Sequence, residues 1–114
     1  MDEREFNALA DRMLASIEQA FELCGADLDY EVRPGGILEL EFEDGGKIII
    51  NRHNAAREIW VAAKSGGFHF RPDDPDGKRW INMRNGTELI KVLERCILEQ
   101  SGITISLDPA ANRG

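Results

Sequence analysis

The chain has 114 residues, 42% of them apolar, with two cysteines and a formal net charge of −7. That length suits one domain with a modest core, and no apolar run approaches the roughly 20 residues that span a bilayer. Residues 1–44 carry 13 acids against 3 bases and residues 45–114 carry 8 against 11, a negative field at one end that attracts cations or basic proteins and argues against nucleic acid.

The opening MDERE is acidic, unlike a secretory or mitochondrial leader, so a cytosolic protein is expected. Residues 3–24 then read as one long helix. Phe6, Leu9, Ala10, Met13, Ile17, Ala20, Phe21 and Cys24 recur every three or four residues, which makes an apolar stripe. Asp11, Glu18 and Glu22 fall on the far side of the wheel, and Gly25 supplies the stop.

In DLDYEV, Asp27, Asp29 and Glu31 alternate with Leu28, Tyr30 and Val32, the pattern of a half-buried strand with one acidic face. Such acids repel one another unless a cation or a basic partner relieves them. Pro34-Gly35-Gly36 turns the chain into ILELEFE, with Leu38, Leu40 and Phe42 inward and Glu39, Glu41 and Glu43 outward. Asp44-Gly45 closes a hairpin onto KIIIN, and a polar loop holding His53 leads to EIWVAAK. There Ile59, Val61 and Ala63 alternate with Trp60, Ala62 and Lys64. The indole thus shares the outer face with Lys64. After a Gly66-Gly67 turn, His69 points outward between Phe68 and Phe70.

Asp73, Asp74 and Asp76 form a loop that lacks the spacing and final glutamate of a calcium hand. A strand over Arg79–Met83 carries Trp80, assigned with the phenylalanines to the core or its rim. Asn85 or Thr87 is placed to cap a second helix over residues 87–100, with Leu89, Leu93, Cys96 and Ile97 inward and Gly102 at its end. Ile103, Ile105 and Leu107 alternate in an extended stretch suited to covering the groove between the helices. The domain is set at residues 1–108, and 109–114 are expected as a loose tail. Helix, five to six strands joined by tight turns, then helix implies an α+β two-layer sandwich: an antiparallel sheet with both helices on one face.

Neither a nucleophile with its base, a phosphate loop nor a C-x-x-C or HExxH cluster is present. Cys24 and Cys96 read as two buried free thiols, and His53 and His69 as separate surface histidines. The remaining constellation is acidic: Asp11, Glu18, Glu22, Asp27, Asp29 and Glu31. Taken singly, each acid is explained by a solvated helix face or a charged edge strand that blocks aggregation. Together they offer carboxylate oxygens suited to hard, labile cations rather than to a closed zinc site. Trp60 is either a shield over the sheet or a binding hot spot.

Asn51 with the preceding isoleucines, Trp60, Lys64-Ser65-Gly66-Gly67, FHF and Trp80, in that order, resemble the bacterial frataxins of the CyaY type from about Glu5 to Leu107. The resemblance implies the same fold and an iron-binding accessory role in iron–sulfur cluster assembly. In that role the protein is an iron donor or a regulator that binds the cysteine desulfurase and the scaffold protein. Ferrous and ferric iron would be held weakly by the positions that match the family, Glu18, Glu22, Asp27, Asp29 and Glu31, with Asp11 added by its place on the same helix face. Partner contacts would fall on Glu18, Glu22, Asn51, Trp60 and His69. This chain departs from the family's denser acids at Gln19, Ala20, Leu23, Gly25 and Ala26. The expected state is a monomer, with iron-dependent oligomers as the alternative. The protein is expected not to be an enzyme. The competing readings are a ferroxidase-type enzyme that oxidises and stores iron, and a metal-independent acidic docking module.

Overall fold

The computed structural model describes residues 1–107, so the tail expected at 109–114 lies outside the described residues. Eight elements follow in order: α1 (Glu3–Leu23), β1 (Asp29–Arg33), β2 (Ile37–Glu41), β3 (Lys47–His53), β4 (Glu58–Ala63), β5 (Gly66–Pro72), β6 (Trp80–Ile81) and α2 (Leu89–Ser101). The strands lie in one sheet in the order β1 to β6, each antiparallel to the next. This is the meander that tight turns dictate.

Asp2 starts α1 by accepting the Glu5 backbone N–H at 2.8 Å, which satisfies one of the helix's free donors. The apolar stripe of α1 is buried along its length, Leu14 included. Cys24 ends the helix, and Gly25 follows at φ 82°, a left-handed conformation open to glycine. Facing the helices, the sheet contributes Leu38, Leu40, Ile48, Ile50, Ile59, Val61, Phe70 and Trp80 to one continuous core with Leu89, Val92, Leu93, Cys96 and Ile97 of α2. Each such aliphatic or aromatic side chain contributes about 1.5–3 kcal/mol by leaving water. Trp80 is fully buried, edge-on to Phe6, and its indole N–H finds the Gly77 carbonyl at 2.8 Å. A Cβ on Gly77 would lie 2.9 Å from Leu9, so this turn docks on α1 only as glycine.

The structure departs from several expectations. The first strand begins at Asp29, leaving Asp27 in the connection before it, and Val32 is exposed because the helices do not cover that end of the edge strand. The strand around Trp80 is two residues long, since residues 83–85 turn away. Neither Asn85 nor Thr87 caps α2: Asn85 Oδ1 accepts from the N–H and hydroxyl of Thr87, and the cap position is Glu88, without a side-chain bond. Cys96 is buried, but Cys24 is only half-buried at the helix end. Of the final stretch, Leu107 joins the core and its N–H reaches Glu94 at 2.7 Å, Ile105 packs partly, and Ile103 stays exposed. His53 belongs to β3 rather than to a loop.

Candidate functional site

Two surfaces hold the residues singled out above, one along the β1 edge and one on the sheet face that the helices leave open.

At the edge, Tyr30 points to the helix side of β1. Its ring packs against Phe21 at 5.3 Å, and its hydroxyl donates to Glu22 of α1. That hydrogen bond, then burial and the charges of Glu22 and Glu18, push the Tyr30 phenol up to about 12. Glu18 stands one turn before Glu22 on the same helix face. Asp29 and Glu31 alternate with Tyr30, so they belong to the opposite face, paired across the strands with Glu41 and Glu39. The acids therefore form a belt that wraps around the edge strand rather than a single plane.

Not all of this charge is free. Glu31 and Glu39 both meet Arg33, at 3.1 and 3.0 Å, and Lys47 stands 3.7 Å from Glu39. The Arg33 hydrogen bond holds the Glu39 carboxyl below the ordinary carboxylate range, against the opposing effect of its partial burial. Asp11 is ion-paired with Arg52 of β3. At 1.5 Å per residue it lies about 16 Å up the helix from Glu22. Asp27 and Asp29 instead line an open cleft of about 850 Å³ with Glu41, Glu43 and Asp44, near the end of α2. Glu41 and Glu43 were legible as outward residues of ILELEFE and Asp44 as a turn residue, but only the folded hairpin brings them to Asp27 and Asp29.

Iron fits this belt loosely. The donors are all carboxylate oxygens, the kind that hold hard cations mainly by charge. Among the described residues no group of three or more His, Cys, Asp or Glu side chains converges to hold a metal ion.

On the open face, strand register sets Arg33, Ile37, Asn51, Trp60 and His69 in one row across five strands. Trp60 is half-buried there, and the two histidines expected to stand apart lie on either side of it. The His53 ring stacks at 3.8 Å and 13°, the His69 ring at 4.4 Å and 8°. His53 is held by the β3–β4 turn, where its Nδ1 accepts the Ala56 N–H at 3.3 Å. Glu58 completes the group. One carboxylate oxygen accepts the Trp60 indole N–H at 3.0 Å and lies 3.6 Å from His69 Nδ1; the other accepts Arg71 Nε at 3.2 Å. Burial raises the Glu58 carboxyl, but the hydrogen bonds from Trp60 and Arg71, with the charges of Arg71 and His69, outweigh it and hold the group below its ordinary value. His53, Glu58 and Arg71 went unnoticed as site residues in the sequence. The available signal was the two-residue spacing of Glu58 and Trp60, which puts both on one face.

The open face is thus acidic over β1 and β2 and carries stacked rings with Arg71 over β3 to β5. It presents an aromatic patch beside opposite charges.

Comparison with known proteins agrees with this architecture. Residues 1–103 match the family described as Frataxin-like domain. The chain is 53% identical over 107 residues to the iron-sulfur cluster assembly protein CyaY of Dechloromonas aromatica, covering 94% of this chain and 99% of that one. It is 50% identical over 109 residues to the protein of the same name from Cupriavidus taiwanensis, covering 93% and 96%. Among solved structures, frataxin from Psychromonas ingrahamii superposes with a TM-score of 0.83 at 36% identity, over 94% of this chain and 98% of that one. Trimeric frataxin from Saccharomyces cerevisiae, complexed with ferrous iron, superposes at 0.60 with 27% identity, over 87% of each chain. By that coverage and identity, this chain belongs to the frataxin family.

Proposed function

We propose that this protein is an accessory of iron–sulfur cluster assembly that binds rather than catalyses. It docks on the cysteine desulfurase through its acidic belt, meets the scaffold protein with its open sheet face, and acts there as an iron donor or regulator. The observation that carries the reading is the belt itself: Glu18 and Glu22 on α1 continue through Tyr30 to Asp29 and Glu31 on β1. An exposed field of one sign steers association with a basic partner surface. The names of the bacterial relatives, iron-sulfur cluster assembly proteins, support the pathway, and a relative complexed with ferrous iron supports the cargo. Iron is held weakly, as cargo, by charge rather than by a convergent ligand set, at the cleft that Asp27, Asp29 and Glu41 line. The protein works in the cytoplasm as a monomer.

The test is a binding titration with purified desulfurase in the presence of a chelator. Glu18→Lys with Glu22→Lys weakens binding, and wild-type binding weakens with added salt, because exposed charges are screened over about 8–10 Å. Salt-insensitive binding, or full binding by the reversed variant, removes the electrostatic dock.

A further inference from the structure

Both flat faces of the Trp60 indole are taken by imidazoles, and its one hydrogen-bond donor is taken by Glu58. A partner therefore meets the ring edge and the outer side of His69, whose side chain is 53% exposed. What orients that edge is Glu58, itself only 15% exposed and in reach of Trp60, His69 and Arg71 at once. We infer that Glu58 is a positioning residue for the open face: its carboxylate fixes the indole of Trp60 between His53 and His69, so that the three rings present one rigid docking platform.

The physical reason is conformational entropy. A tryptophan free to rotate has to be ordered when a partner binds, and a ring already fixed in its bound orientation avoids that cost. Two stacked neighbours restrain the tilt of the ring, but stacking does not choose between the two orientations related by a half-turn about Cβ–Cγ, which put the indole nitrogen on opposite sides. A directional acceptor at the indole nitrogen selects one of them. His53 is supported in turn by the Ala56 N–H, so the platform is held from the β3–β4 turn as well as from Glu58. Asn51, the cross-strand partner of Trp60, continues the face toward β2.

The inference rests on the docking role of Trp60, and the experiment separates the two. Glu58→Ala, Glu58→Gln, Trp60→Ala and the double variant Glu58→Ala/Trp60→Ala are titrated against the desulfurase–scaffold complex. Hydrogen exchange of the Trp60 indole N–H is read by NMR in the free protein, and melting curves monitor the fold. Trp60→Ala weakens binding by about thirtyfold, the size of a hot spot. Glu58→Ala weakens it by about fivefold and speeds indole exchange, while Glu58→Gln, whose amide oxygen still accepts, stays within about twofold of wild type. In the Trp60→Ala background, Glu58→Ala adds nothing, as two residues acting as one unit require. Wild-type binding by Glu58→Ala overturns the inference, and so does a Glu58→Ala loss that persists in full without Trp60. Full binding by Trp60→Ala instead overturns the docking role. The positioning claim is then decided in the free protein, where indole exchange unchanged by Glu58→Ala refutes it and faster exchange upholds it.

Discussion

The Tyr30 hydroxyl on β1 donates to the Glu22 carboxylate on α1. That bond ties the acidic face of the helix to the strand whose outer side carries Asp29 and Glu31.

Tyr30 is the single tyrosine of the chain, so its ionisation can be followed alone by ultraviolet absorbance. The folded protein favours the neutral phenol, whose ionisation the Glu22 hydrogen bond pushes up to about 12. Its contribution to stability is whole below the ordinary value of about 10 and is lost as pH rises through the folded value. Glu22→Gln brings the midpoint down toward the ordinary one. A midpoint that ignores the substitution would contradict the bond.

Glu58 titrates in the opposite sense. Its folded carboxyl lies below the ordinary value, mainly because the Trp60 and Arg71 bonds overcome burial. The contribution is present above the ordinary glutamate value of about 4.3 and fades as pH falls through the lowered one. Melting curves of wild type and Glu58→Gln should differ most at neutral pH and converge in acid. A constant gap down to acid pH would mean that the charge of Glu58 does not matter.

Trp60→Ala separates docking from stability. Two ring stacks, each worth about 0.5–1.5 kcal/mol, lose their shared member, so the melting temperature falls by a few degrees. Affinity for the partner falls by about 2 kcal/mol or more if the platform is the hot spot. Loss of stability with unchanged affinity would make Trp60 only a cover for the sheet.

The helices and inner faces of the strands were legible in the sequence because one period, 3.6 or 2, ran unbroken through Phe6 to Phe21 and through the Leu38–Leu40 and Ile59–Val61 pairs. Boundaries set by tertiary contact were not. Thr87 looks like a cap, yet Asn85 claims its donors, and Val32 follows the alternation but outruns the helices. For the site, composition showed the acids and the outward Trp60. It could not show that Arg33 bridges to Glu39 or that Arg52 pairs Asp11, since those contacts depend on hairpin register and on a helix crossing the sheet. The sandwich of Trp60 by two histidines sixteen residues apart was hidden for the same reason.

That pairing pattern sharpens the metal prediction. With Glu31 held by Arg33, a cation relieves repulsion mainly around Asp27, Asp29 and Glu41. Ferrous iron under anaerobic conditions should raise the melting temperature, since it binds the folded state preferentially. Manganese or calcium should compete, as carboxylates without an ordered shell select poorly. Asp27→Asn with Asp29→Asn should abolish the gain and Glu31→Gln should leave it. A full iron-dependent shift in the double variant would place the metal elsewhere.

In the proposed function the acidic belt couples this protein to iron–sulfur cluster assembly. The most direct test of that coupling is a reconstituted assembly reaction of desulfurase, scaffold, cysteine and ferrous iron, run across iron concentrations without the protein, with wild type, and with Glu18→Lys/Glu22→Lys. Wild type is expected to change the rate of cluster formation, and the reversed variant, folded by its melting curve, is expected to leave it unchanged. A rate untouched by wild type, or changed equally by the reversed variant, would contradict it.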